Sequence, residues 1–110
     1  MDPGPRYSVR ASALAEAALD FLRESGVELW PRIESHLSIG PQPHAYRRIK
    51  ADQGAFRLGL KEFRVWFRVE GTDVEVFRIA SGYRAKELAT REDLELHREL
   101  ERRFGAREEH

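Results

Sequence analysis

The chain has 110 residues, no cysteine, and 19 Lys/Arg against 19 Asp/Glu, a formal charge of zero. That length suits one domain with a modest core, and without cysteine there are no disulfides and no thiolate zinc sites. The opening MDPGPRYSVRAS lacks the apolar stretch of a signal peptide, and no run reaches the roughly 18 apolar residues of a membrane span, so the expectation is a soluble, cytoplasmic protein with no membrane partner. The zero charge hides an arrangement. Residues 44–86 hold ten Lys/Arg against five Asp/Glu, while residues 1–43 hold four against six and residues 87–110 hold five against eight. A basic centre in a neutral chain points to a local anionic partner rather than to general electrostatic stickiness.

In chain order, RYSVRAS alternates Tyr7 and Val9 with polar residues and reads as a short half-buried strand. Ser12 can cap a helix starting at Ala13, with a stripe of Leu14, Ala17, Ala18, Phe21 and Leu22 and a stop at Gly26. A second helix begins near Trp30, because Pro31 is tolerated only in a first turn, and Ile33 and Leu37 lie one turn apart on it. Gly40, Pro41 and Pro43 end this helical hairpin. AFRLGL then places Phe56, Leu58 and Leu60 on one face of a strand and Arg57 and Gly59 on the other. After a tight turn, FRVWFRV places Phe63, Val65, Phe67 and Val69 opposite Arg64, Trp66 and Arg68. Glu70-Gly71-Thr72-Asp73 signals a hairpin into a third strand, VEVFRIA. The remainder, from Leu88, reads as one helix with a stripe of Leu96, Leu100 and Phe104, capped by Thr90 and frayed from Glu108.

This pattern predicts an α+β fold: an N-terminal strand, a two-helix hairpin packed on one face of a small antiparallel sheet, and a C-terminal helix. The hairpin covers the apolar face. The arginine face is then open, or covered by the C-terminal helix. On that face Arg57, Arg64 and Arg68 converge by the period of two, and Arg84 and Lys86 follow the last strand. Guanidinium forks suit phosphate oxygens, and Trp66 and Tyr83 offer rings on which bases can stack, a combination suited to single-stranded nucleic acid. A solvated outer sheet face would also carry arginines. The four histidines lack metal spacing, and no Ser-His-Asp order or phosphate-binding glycine loop stands out.

The stretch FRLGLKEFRVWFRVEGTDVEVFRIASGYRAKEL, preceded by a strand, a helical hairpin and the Pro41/Pro43 loop, resembles the RelE/ParE superfamily of toxins from bacterial type II toxin–antitoxin modules. Phe63-Arg64-Val65 fills the family's YRV position and Gly82-Tyr83-Arg84 its Gly-basic-Arg ending. The resemblance runs from residue 6 to about residue 90. It implies a toxin domain over 1–90, with residues 91–110 as the C-terminal helix and tail of the same domain.

The RelE side of the family implies a ribosome-dependent mRNA endonuclease (an mRNA interferase) that inhibits translation and is neutralised by a cognate antitoxin. No cofactor and no metal are implied. In such an enzyme the 2′-OH attacks the adjacent phosphorus, cations stabilise the phosphorane, and an acid protonates the leaving oxygen. Carried over by position, the resemblance implies catalytic roles for Arg64 and Arg84, and RNA binding by Arg57. The residue chemistry adds Lys61, Trp66, Arg68 and Lys86 as RNA contacts. The chain departs from the family at Gly59, where a second cation is expected, and at Thr90, where the terminal tyrosine is expected. Tyr83 is the candidate to replace that phenol. The ParE side implies a DNA gyrase inhibitor without nuclease chemistry, and the missing tyrosine favours it, whereas the short hairpin, Ser12 to Ser38, favours RelE. A third alternative is a toxin fold that has lost toxicity, with the C-terminal helix lying over the arginines.

Overall fold

A computed structural model of the chain describes residues 7–39, 49–52 and 54–105. The Pro41/Pro43 loop with His44, Arg47 and Arg48, and the tail from residue 106, lie outside the described residues. The elements are β1 (Ser8–Ala11), α1 (Ala13–Glu24), α2 (Trp30–Leu37), β2 (Ile49–Asp52), β3 (Ala55–Leu60), β4 (Phe63–Glu70), β5 (Asp73–Ser81), α3 (Ala85–Thr90) and α4 (Glu95–Phe104).

The expected α+β layout is present. One five-stranded sheet runs in the order β1-β5-β4-β3-β2. Its neighbours pair antiparallel, except that β1 lies parallel to β5, Ser8 opposite Asp73 through Ala11 opposite Val76. Strand β2 was not foreseen. It is four residues long, and only its Ile49 is buried among its described side chains, which is too little pattern to register as alternation. Each of the three hairpin turns holds a residue with left-handed backbone: Gly54 (φ 85°), Lys61 (φ 52°) and Gly71 (φ 63°).

Ser12 caps α1 as expected: the Ala15 N–H donates to its Oγ at 3.2 Å. The buried stripe is, however, Ala15, Ala18, Leu19 and Leu22, while Leu14 is 53% exposed and Ala17 is exposed. In an alanine-rich helix two adjacent stripes satisfy helical spacing equally. The one that lays Ala15 and Ala18 against the sheet, with Leu19 and Leu22 filling in behind, allows the closer packing. Helix α2 starts at Trp30 with Pro31 in its first turn and buries Ile33 and Leu37 completely.

The C-terminal region differs from the expected single helix. Thr90 ends α3 instead of capping a longer one, its hydroxyl donating to the Lys86 carbonyl at 2.9 Å. Residues 91–94 reverse the chain. Arg98 holds this break by donating to the carbonyls of Leu88 (2.8 Å) and Arg91 (2.6 Å), which the ended helix leaves without amide partners. Helix α4 then packs on the apolar side of the sheet. Leu100 joins the main core, the His97 ring stacks on Phe63 at 4.9 Å, and Phe104 meets Phe21 of α1 at 5.9 Å. Of the two alternatives for the arginine face, open or covered by the C-terminal helix, the second does not hold for α4: its leucine- and phenylalanine-bearing turns find their apolar partners beside α1, on the opposite side.

Candidate nucleic-acid interface

The sheet face away from the helices is built of cross-strand rows. In the first row Arg57 of β3 stands opposite Trp66 of β4, and Trp66 stands opposite Arg78 of β5. In the second, Arg64 lies between Gly59 and Ala80. In the third, Arg68 pairs with Glu75, and Glu75 with Arg10 of β1. The Glu75 carboxylate reaches both cations, Arg68 at 3.6 Å and Arg10 at 3.9 Å. Arg57, Arg64, Trp66 and Arg68 thus share one face, as the alternation predicts, and no described helix covers it.

Arg10 and Arg78 join this face and were not foreseen. Strict alternation puts Arg78 with Val74 and Val76, pointing into the core. A bulge intervenes: Phe67 pairs with Val76 while Trp66 pairs with Arg78, so Phe77 has no opposite residue. The extra residue reverses the phase, burying Ile79 and turning Arg78 outward. The signal was present in the spacing of three between the buried Val76 and Ile79. Arg10 became legible only through the parallel register of β1 on β5. The half-buried aromatics of this face carry cations: the Arg78 guanidinium lies 4.6 Å from the Trp66 ring centre, and that of Arg68 lies 4.2 Å from that of Phe77.

Arg64 is held at the end of this face. Its Nη1 donates to the carbonyls of Phe63 (2.9 Å) and Lys61 (3.1 Å), and the guanidinium lies against Gly82, where a Cβ would come within 2.6 Å of Nη1. Gly82 is thus required for close approach, and its N–H donates to the Glu62 carbonyl at 2.7 Å. Lys61 is exposed in the same turn.

Beyond Gly82 the remaining candidates separate. Arg84 is exposed at the N-cap of α3, its backbone N–H donating to Glu87 Oε1 at 2.8 Å, and Lys86 is exposed in that helix. Tyr83 is half-buried at the sheet's end. Its ring meets His97 edge-on at 4.8 Å and 88°, and Arg91 lies 5.3 Å from its centre. Asp93 accepts two hydrogen bonds from Arg91, which lowers the Asp93 carboxyl and raises the Arg91 guanidinium.

Sequence reasoning also passed over His97. It is 4% exposed, with Nε2 2.8 Å from Glu62 Oε1 and Nδ1 2.8 Å from Ser81 Oγ. Ser81 Oγ accepts the Tyr83 N–H at 3.1 Å, and the Ser81 N–H donates to Glu101 Oε2 at 2.8 Å. This network ties the β3–β4 turn and the end of β5 to α4. Among the described residues no group of His, Asp or Glu is arranged to hold a metal, and no helix is long and apolar enough to cross a membrane.

No protein-family model matches this chain, and no curated protein matches it. Among solved structures it is similar to the RelBE2 toxin–antitoxin complex of Mycobacterium tuberculosis, at 21% identity over 74% of this chain and 97% of that chain, with a TM-score of 0.46.

Proposed function

We propose that this protein is a RelE-like toxin: a cytoplasmic, ribosome-dependent mRNA endonuclease that inhibits translation and is neutralised by a cognate antitoxin. The observation that carries this reading is the uncovered sheet face, on which Arg57, Arg64, Arg68 and Arg78 surround Trp66 and Arg64 is seated on Gly82. The motif resemblance of residues 6 to about 90 supplies the reaction class.

In this reading the 2′-OH gives its proton to solvent water at the open face as it attacks the adjacent phosphorus, the P–O2′ bond forms and the P–O5′ bond breaks, leaving a 2′,3′-cyclic phosphate and a 5′-hydroxyl, and the phenol that protonates the leaving oxygen is reprotonated from solvent. Arg64 and Arg84 stabilise the charge that grows on the phosphorane oxygens. Tyr83 donates the proton to the leaving 5′-oxygen, its ring held between His97 and Arg91. Arg57, Lys61, Arg68 and Lys86 hold the phosphate backbone and Trp66 stacks a base. The antitoxin, by the same electrostatics, lays an acidic segment over the arginines, and its affinity falls with salt.

A second reading, a DNA gyrase inhibitor without nuclease chemistry, is favoured by Thr90, whose hydroxyl is engaged by the Lys86 carbonyl at the position where the resemblance calls for a phenol. Expression without antitoxin discriminates the two. The nuclease reading expects growth arrest and mRNA cut at ribosomal A-site codons. Intact mRNA with stabilised gyrase–DNA cleavage complexes supports the second reading instead. Arg84→Ala, at an exposed position, is expected to abolish cleavage with the melting temperature within a degree or two of the parent, since surface substitutions stay within about 0.5 kcal/mol.

A further inference from the structure

We infer that the Arg57–Trp66–Arg78 row is a nucleotide subsite of its own, one base of single-stranded RNA stacking at Trp66 while its flanking phosphates are held by Arg57 and Arg78. This rests on the RNA reading above and assigns Arg78, which the motif resemblance does not mark.

Three observations converge on the row. First, cross-strand register puts the three residues directly opposite one another, so neighbouring strands about 4.8 Å apart bring a cation to each side of one indole. Second, Arg78 reaches this face only because of the bulge beside Trp66. A bulge is a device that re-aims a side chain, and here it takes a guanidinium out of core phase and lays it 4.6 Å from the indole centre. Third, Arg78 Nε is buried without a hydrogen-bond partner among the described residues. A charged donor left unmet is costly, and Glu75, the acid of the adjoining row, is already engaged by Arg10 and Arg68. An arriving phosphate supplies the missing acceptor, and the base takes over the ring surface as the guanidinium turns to it. Arg64 stands two residues away on β4, about 7 Å along the strand, near enough for one RNA chain to touch both places.

The test uses the full chain and a short, uncleavable 2′-O-methyl RNA, followed by anisotropy of a labelled RNA end and by tryptophan quenching. Wild-type protein is expected to bind with quenching that Trp66→Leu removes. Arg78→Ala and Trp66→Leu are each expected to weaken binding about tenfold. Arg78→Lys keeps the charge but loses the planar fork and Nε donor, and is expected to lose most of the same affinity, which guards against a folding defect in the alanine variant. If Arg64→Ala loses RNA while both Arg78 variants and Trp66→Leu bind like wild type, the subsite is refuted and the RNA reading stands. If wild type binds no RNA at low salt, and Arg78→Ala instead weakens an acidic protein partner, the face is a protein-docking surface and the reading falls with the subsite.

Discussion

At the scale of single residues, Gly82 decides where the Arg64 guanidinium can sit. A Cβ there would lie 2.6 Å from Nη1 and 2.7 Å from Cζ, the far end of a flexible side chain, so the collision resolves by moving Arg64 rather than the backbone. Gly82→Ala is therefore expected to cost less than about 1 kcal/mol of stability yet to displace the cation from its seat on the Phe63 and Lys61 carbonyls. The measurement is a paired one: unchanged urea midpoint with at least a tenfold loss of RNA cleavage or binding. An unchanged activity would show that the position of Arg64 is immaterial. The residues that make the open face were mostly legible, because Arg57, Arg64, Trp66 and Arg68 follow a simple period of two. Arg78 was not, because a bulge is a property of pairing between strands and leaves only a spacing of three between Val76 and Ile79 in one of them.

At the scale of elements, the decisive contacts run between α4 and the two strand ends it clamps. His97 links Glu62 in the β3–β4 turn to Ser81 at the end of β5 while its ring fills the space between Phe63 and Tyr83. His97→Ala removes a buried ring and leaves the Ser81 hydroxyl short of a partner, so a loss of about 2–4 kcal/mol is expected in chemical denaturation. A loss under about 0.5 kcal/mol would mean the clamp is dispensable. Such a network is invisible in the sequence, where positions 62, 81 and 97 are far apart and a lone histidine among arginines and glutamates looks solvated. The break between α3 and α4 was hidden for a related reason. Helical periodicity continues through residues 88–104, but Arg98 satisfies the carbonyls of Leu88 and Arg91 and so stabilises an end that local sequence does not announce. The hairpin, by contrast, was legible in its bounds, since Ser12, Gly26 and Pro31 act locally, although the choice between two alanine-rich stripes of α1 needed the sheet to settle it.

At the scale of the whole molecule, two sides of one sheet have opposite duties: α1, α2 and α4 share a single apolar core on one, and the cations gather on the other. The placement of α4 therefore separates two accounts of the C-terminal region. As a removable cover, it would leave an intact toxin when cut away. As the third member of the helical layer, it buries Leu100 completely and Leu94 nearly so, and it completes the contacts of Phe21 and Phe63. Loss of one such leucine to alanine already costs about 2–5 kcal/mol, a large share of the roughly 5–15 kcal/mol that a domain of this size has in total. Deleting residues 95–110 removes both Leu100 and His97 and uncovers the Phe21–Phe63 side of the core, so the shortened chain is expected to aggregate or remain unfolded by circular dichroism, with no gain of activity. A soluble, cooperatively folded fragment that arrests growth more strongly than the full chain would overturn this account and restore the helix to the role of an inhibitor. Every helix that the described residues contain lies on the other side or at the sheet's end, so removing α4 takes apart the apolar layer and uncovers nothing on the arginine face.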